Sequence, residues 1–171
     1  AARELALAMG GNQVATVGSI QLEPGLVNVI AKAATLTVDL RNTDSALLKQ
    51  AETELQTKIA AIAEAEGLAI TSQSLARFEP VTFDPAMIDC VANTAEALGF
   101  SVKRMPSGAG HDAGMIAAIA PTAMIFVPSV NGLSHNVKEY TAPSDLANGT
   151  NVLLQVLLQL ANPSAVEVIR S

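Results

Sequence analysis

Both histidines lie in short loops whose residue types suit a ligand site or a metal site. Residues 108–112 read Gly-Ala-Gly-His-Asp, and residues 134–136 read Ser-His-Asn. Closely spaced glycines let backbone N–H groups approach a ligand, and a neutral imidazole can bind a metal or accept a proton. Structural roles stay open beside these. His111 and Asp112 could cap a helix after a tight turn, and His135 could hydrogen-bond a carbonyl group.

Arg41 and Asn28, in the first half of the chain, could hold a polar substrate. A guanidinium can grip a carboxylate through two parallel hydrogen bonds, a geometry that lysine does not match. The amide of Asn28 can both donate and accept hydrogen bonds. Spacing alone favours structural roles, which are a surface ion pair of Arg41 with Asp39 or Asp44 and a turn hydrogen bond of Asn28.

A metal site needs more ligands than these loops contain. Zinc takes three or four protein ligands from histidine, cysteine and carboxylates, and a two-metal site needs more. The candidates here are His111, His135 and Cys90, and none belongs to a close His-x-Asp or His-Glu pair. The sequence alone therefore does not furnish a convincing metal site.

Composition bounds the class of protein. The chain has 171 residues, 50% of them apolar, 3% aromatic and 15% charged, with a net charge of −6. The apolar content predicts a packed core in one domain or two small ones. The excess of acidic residues and the few aromatic residues argue against nucleic acid as a binding partner. No apolar run reaches the roughly 18 residues of a membrane-spanning helix. A single cysteine and no signal-like opening favour a reducing, cytoplasmic setting.

Apolar periodicity predicts the elements that position these residues. In the first half we expect a helix over 1–10, strands over 13–20 and 34–41, a helix from Asp44 or Ser45 to 66, and a strand over 68–78. In the second half we expect helices over 85–98, 111–120 and 143–161, and strands over 100–105 and 122–127. Strand 34–41 alternates cleanly, which is typical of a half-buried strand. The first half follows the ferredoxin-like split βαβ order without its first strand, and the second half reads as α/β.

Five segments, taken in order, resemble one protein family. They are residues 18–20 (GSI), 27–30 (VNVI), 38–44 (VDLRNTD), 106–113 (PSGAGHDA) and 124–136 (MIFVPSVNGLSHN). Together they resemble the zinc-dependent N-carbamoyl-amino-acid amidohydrolases, whose relatives include β-ureidopropionase and allantoate amidohydrolase. The resemblance covers nearly the whole chain, and the joint presence of the last two segments is its most specific part.

The resemblance implies an α/β fold with an α+β insertion. Residues 1–77 would be a ferredoxin-like lid that lacks its first strand and forms a homodimer contact. Residues 80–171 would be the C-terminal part of a catalytic zinc-hydrolase α/β domain. The implied cofactor is a pair of zinc ions, with manganese, cobalt or nickel as alternatives.

The resemblance also implies roles for single residues. His135 matches the final zinc-binding histidine, and Arg41 matches the residue that binds the substrate carboxylate. The other implied substrate-binding residues are Asn28, Gly108, Gly110 and His111. The family's other zinc ligands and its proton-moving glutamate are not matched here, so no catalytic residue is assigned. Because the chain also starts inside a helix without an initiator methionine, we expect a C-terminal fragment that is inactive alone.

The implied reaction is hydrolysis of linear, non-peptide carbon–nitrogen bonds, with a small N-carbamoyl amino acid or ureido acid as substrate. The alternative from a different class is a non-catalytic dimerisation or binding module built on the lid-like sheet. A dipeptidase or deacylase relative is a third possibility, against which the Gly-His-Asp loop argues.

Overall fold

The computed structural model describes residues 1–161, which divide into two compact units between Pro80 and Val81. The first unit contains helix α1 (Ala2–Met9), strands β1 (Val14–Glu23) and β2 (Ala33–Arg41) and helix α2 (Ser45–Glu66). The second contains helices α3 (Pro85–Ala97), α4 (Asp112–Ile116) and α5 (Pro143–Ala161), with a 3₁₀ turn at Val130–Gly132. The helices predicted to open the chain, to follow Asp44, and to begin at Pro85 and Pro143 are confirmed. The end predicted for the last helix, at Asn162 and Pro163, lies outside the described residues.

Strands β1 and β2 pair antiparallel, with Val14 opposite Arg41 at one end and Glu23 opposite Ala33 at the other. The register shifts between Val17 and Ser19, and the bulge keeps apolar residues of both strands on one face. The apolar face carries Ala15, Val17, Ile20, Leu22, Ala34, Leu36, Val38 and Leu40. Polar residues, among them Asp39 and Arg41, occupy the opposite face.

The core of the first unit lies where the two helices meet one end of the hairpin. Leu5, Ala51 and Leu55 form its buried centre, and Leu40 packs against them from β2. Beyond Leu40 the apolar face is exposed, since Leu36 is 55% exposed and Ile20 61% exposed. The expectation of a half-buried β2 is therefore wrong for most of the strand, because the helices cover only the end that carries Leu40.

Helix α2 begins and ends where its sequence signals place the boundaries. The Asp44 carboxylate accepts hydrogen bonds from the N–H groups of Ala46 (2.8 Å) and Leu47 (2.9 Å), which caps the first turn. At the other end Gly67 has φ +63°, a left-handed conformation that closes the helix without a Cβ penalty. Between these ends, Leu48, Ala51 and Leu55 are the buried residues of α2.

The second unit is built on helices α3 and α5. The side chains of Thr94 and Gln159 join the two helices by a hydrogen bond of 3.1 Å. Gly149 in α5 lies so close to residues 121–127 that a Cβ there would be 2.5 Å from Val127 Cγ1. An open apolar groove of about 430 Å³ lies in this unit, lined in part by Ile125, Leu153 and Leu157. Within residues 1–161 no helix is both long and apolar enough to cross a membrane.

Three predicted strands are not strands in the described part of the chain. Residues 68–78, 100–105 and 122–127 are irregular, and the sheet contains β1 and β2 alone. A strand needs a neighbour to pair its backbone groups, and hydropathy does not specify that neighbour. The helix predicted over 111–120 is also shorter, because α4 ends at Ile116 and the chain continues in turns. The structure is thus a mixed α/β arrangement with a small sheet, and the insertion and lid architecture stay predictions.

Candidate functional site

The glycine loop at residues 106–111 is held by a side-chain turn. The Ser107 hydroxyl donates to the Ala109 carbonyl (3.1 Å) and lies 3.2 Å from the Ala109 N–H, which donates to it. Among residues 1–161, no atom lies within 4 Å of where a Cβ on Gly108 or Gly110 would be, and neither glycine has a positive φ. The described part of the fold therefore does not itself require glycine at these positions.

His111 occupies the N-cap position of α4, but its side chain makes no capping hydrogen bond. The imidazole instead lies edge-on to Phe126, with ring centroids 6.4 Å apart and an interplanar angle of 65°. The structural alternative is therefore confirmed in position, since His111 and Asp112 begin the helix after a tight turn, but the His111 side chain does not cap it. His111 is exposed, so its ring nitrogens are accessible for contact with a ligand.

The second histidine, His135, lies in a loop that is closed by its own hydrogen bonds. The backbone N–H of His135 donates to the Glu139 carboxylate (2.8 Å), and the backbone N–H of Lys138 donates to the side-chain oxygen of Asn136 (2.9 Å). His135 has φ +54°, a left-handed conformation that costs a non-glycine residue of order 1 kcal/mol or more. His135 is also exposed at the surface.

The donor groups of the described residues do not fit a complete metal site. Across residues 1–161 there is no group of three or more His, Cys, Asp or Glu side chains that could hold a metal ion. Zinc sites in proteins take three or four such ligands. His135 could supply one ligand, but this part of the chain does not supply the rest.

Arg41 is the last residue of strand β2, and it forms a bidentate ion pair with Asp39 on the same face of the hairpin. Its Nε lies 3.0 Å from Asp39 Oδ1, and its Nη2 lies 2.7 Å from Oδ2. The hydrogen bond from Arg41 lowers the pKa of Asp39, and the same bond raises the pKa of Arg41. The surface pair that was the structural alternative for Arg41 is thus present.

Asn28 is exposed in the turn that connects β1 to β2. This connection joins Glu23 to Ala33 at one end of the hairpin, whereas Arg41 pairs with Val14 at the other end. At a rise of about 3.3 Å per residue, roughly 26 Å of strand separates Arg41 from the start of the connection. The hairpin alone therefore does not bring Asn28 and Arg41 together.

Sequence reasoning missed a polar clamp next to Arg41 that joins the residues before β1 to the residues after β2. We define the clamp as Asn12, Gln13, Asn42 and Thr43. Asn12 donates to the Thr43 hydroxyl (2.9 Å), and Asn42 donates to the side-chain oxygen of Gln13 (2.9 Å). Gln13 is only 8% exposed, and its own side-chain N–H donates to the Val14 carbonyl (2.9 Å). The sequence signal that could have revealed it is a pair of polar residues before β1, Asn12 and Gln13, and another after β2, Asn42 and Thr43.

The chain is similar to characterised proteins over most of its length. Residues 5–159 match peptidase family M20/M25/M40. Allantoate amidohydrolase of Escherichia coli is 37% identical over 158 residues, which are 92% of this chain and 38% of that protein. N-carbamoyl-L-amino-acid amidohydrolase of Rhizobium meliloti is 38% identical over 148 residues, which are 86% of this chain and 36% of that protein.

A solved structure shows the same fold. The hydantoinase/carbamoylase family amidase from Burkholderia multivorans superposes with a TM-score of 0.85 at 39% identity, over 92% of this chain and 38% of that one. The resemblance to amidohydrolases inferred from the sequence motifs is confirmed. The chain spans less than two-fifths of the length of these relatives.

Proposed function

The chain belongs to peptidase family M20/M25/M40, and from this premise we propose that it is the carboxylate-binding part of a metal-dependent amidohydrolase. The proposed substrates are N-carbamoyl amino acids or ureido acids, in which a linear carbon–nitrogen bond is cleaved. The observation that carries the proposal is the similarity to two named amidohydrolases over most of the chain. It is supported by an exposed arginine at the end of a polar sheet face.

Arg41 is the residue that we assign to the substrate carboxylate. Its guanidinium lies on the polar face of β2, and its side chain is 53% exposed. A guanidinium binds a carboxylate through two parallel charge-assisted hydrogen bonds. The substrates named for the two relatives, allantoate and N-carbamoyl-L-amino acids, both carry such a carboxylate. Asn28 is assigned to a substrate as well, since an amide can donate and accept, but within one chain the hairpin does not bring it to the molecule that Arg41 binds.

The glycine loop is assigned to the wall of the substrate pocket. Among the described residues no atom lies near a Cβ at Gly110, which supports close approach of a small polar ligand to the backbone there. His111 follows directly and is exposed, with its ring held against Phe126. A neutral imidazole in this position can donate or accept one hydrogen bond to the substrate.

His135 is assigned as one metal ligand, and the metal as zinc, with manganese, cobalt or nickel as alternatives. The remaining ligands of the proposed two-ion site would come from protein outside the described residues, because these contain no complete ligand group. The 171-residue chain is accordingly expected to release no ammonia from N-carbamoyl amino acids, with or without added metal.

The two parts of the chain are assigned different tasks. Residues 1–77 would act as a lid and dimerisation domain, and residues 80–171 as the C-terminal part of the catalytic domain. The exposed apolar face of the hairpin, where Ile20 and Leu36 lie opposite each other, supports association of this lid with a second copy. Large exposed apolar patches on proteins commonly mark such contacts.

A hybrid enzyme tests the proposal. Residues 1–159 of this chain replace the matching segment of E. coli allantoate amidohydrolase, and ammonia release is measured with zinc or manganese on allantoate and a set of N-carbamoyl amino acids. Metal-dependent release is expected. Arg41→Lys should raise KM about tenfold to a hundredfold, since one charge-assisted hydrogen bond contributes about 1.5–3 kcal/mol. His135→Ala should lower kcat at least a hundredfold.

Arg104→Lys is the matched control, because Arg104 also forms an exposed pair, with Asp89 (2.6 Å), but is assigned no role. Its hybrid should match the parent hybrid in KM and kcat. A hybrid that melts cooperatively but is inactive on every substrate would favour the alternative, a binding or dimerisation module.

A further inference from the structure

The Asp39 carboxylate holds the guanidinium of Arg41 along one edge. Asp39 and Arg41 are two residues apart on β2, so their side chains project from the same face of the hairpin. Three contacts join them, from Arg41 Nε to both Asp39 oxygens (3.0 and 3.2 Å) and from Arg41 Nη2 to Oδ2 (2.7 Å). Two parallel bonds of this kind define the plane of the guanidinium as well as its position.

The backbone beneath this pair is also held in place. Asn42, the next residue after Arg41, is hydrogen-bonded to the buried Gln13, and Thr43 is hydrogen-bonded to Asn12. The following residue, Asp44, caps α2. The polar clamp therefore anchors the chain directly after Arg41, and Asp39 orients the part of the side chain that the clamp does not reach.

We propose that Asp39 is a positioning residue that makes Arg41 selective for planar carboxylates over monatomic anions such as chloride. This inference rests on the proposed role of Arg41 in carboxylate binding. Asp39 acts on Arg41 in two ways, of which the second gives the selectivity. It cancels the charge of the guanidinium, which weakens attraction for every anion alike. It also fixes the guanidinium plane, which favours only ligands with two coplanar acceptor oxygens.

The two effects separate by ligand shape. A chloride ion responds to charge but has no plane to match. A carboxylate responds to both, because it forms two parallel hydrogen bonds with a guanidinium of fixed orientation. Loss of Asp39 should therefore strengthen chloride binding. Carboxylate binding should strengthen less than chloride binding, or weaken. The ratio of the two affinities measures positioning independently of net charge.

The test uses the full 171-residue chain, labelled with ¹⁵N and ¹³C, and the side-chain Nε–H signals of its arginines. Three proteins are compared: the wild type, Asp39→Asn, and Asp89→Asn. The last removes the partner of Arg104, an exposed pair with a single contact of 2.6 Å, and is the matched control. Rotation about the Nε–Cζ bond of Arg41 is measured, and N-carbamoylglycine and chloride are titrated separately.

In Asp39→Asn we expect Arg41 to rotate at least tenfold faster. We also expect its preference for N-carbamoylglycine over chloride to fall about fivefold, the factor that matches immobilisation of one long side chain. Asp89→Asn should change neither value at Arg41. Unchanged rotation or an unchanged preference in Asp39→Asn overturns the positioning role, while ligand binding by wild-type Arg41 still supports the proposed function. No response of wild-type Arg41 to N-carbamoylglycine overturns both.

Discussion

Replacing Gly149 by alanine should destabilise the second unit, although alanine is the better helix former. The new Cβ would lie 2.5 Å from Val127 Cγ1, about 1 Å inside the usual carbon–carbon contact of roughly 3.5–4 Å. Overpacking of this kind costs about 1–3 kcal/mol, and the helix propensity of alanine offsets about 1 kcal/mol. The expected net loss is about 1 kcal/mol, up to about 2.

Gly114→Ala is the matched control within the same unit. Its Cβ would lie 3.6 Å from Val81 Cγ2, an ordinary contact, so only the propensity gain of up to about 1 kcal/mol should appear. Tyr140 is the single tyrosine of a chain without tryptophan, and its fluorescence reports urea unfolding of this unit selectively. If Gly149→Ala were stabilised as much as Gly114→Ala, the close approach of α5 to Val127 would be refuted.

Further predictions concern the first unit. The pKa of Glu79 is lowered, chiefly by the hydrogen bond from Ser45 and then by Arg77. The ionised Glu79 carboxylate therefore stabilises the fold above the ordinary glutamate pKa, and this stabilisation is lost as pH falls through the lowered pKa. Ser45→Ala should move that pKa upward in a ¹³C NMR titration of the Glu79 carboxyl carbon. Asp44→Ala should cost about 1 kcal/mol of stability in urea unfolding, because two N–H groups of α2 lose their acceptor. Ile20→Thr with Leu36→Thr should weaken self-association at least tenfold in sedimentation experiments, since the pair is exposed on the apolar face.

Each of these three predictions has a control variant or an outcome that would contradict it. Threonine substitution of Gln21, which lies opposite Thr35 on the polar face, should leave self-association unchanged. Asp44→Asn retains a capping oxygen and should recover most of the loss seen for alanine. A Glu79 pKa that does not respond to Ser45→Ala would show that the hydroxyl does not bond the carboxylate in solution.

The local sequence determined both ends of α2 and the start of α3. Asp44 before α2, Gly67 after it and Pro85 at the start of α3 act through hydrogen bonds and dihedral preferences within one turn of chain. The alternation in 34–41 likewise identified β2 and the face that carries Arg41. Such signals need no distant partner, which is why they were readable without a structure.

Tertiary structure alone decided the pairing and the surroundings of the candidate residues. The apolar run 122–127 resembles a buried strand, but backbone pairing depends on a neighbour that periodicity cannot name, and no such neighbour lies in the described residues. The choice of Asp39 over Asp44 as the partner of Arg41 depended on which carboxylate shares its face and which caps a helix. The sequence by itself determined which residues could do chemistry. Packing and register decided what each of them touches, because contacts depend on which face a side chain projects from and on which elements lie beside it.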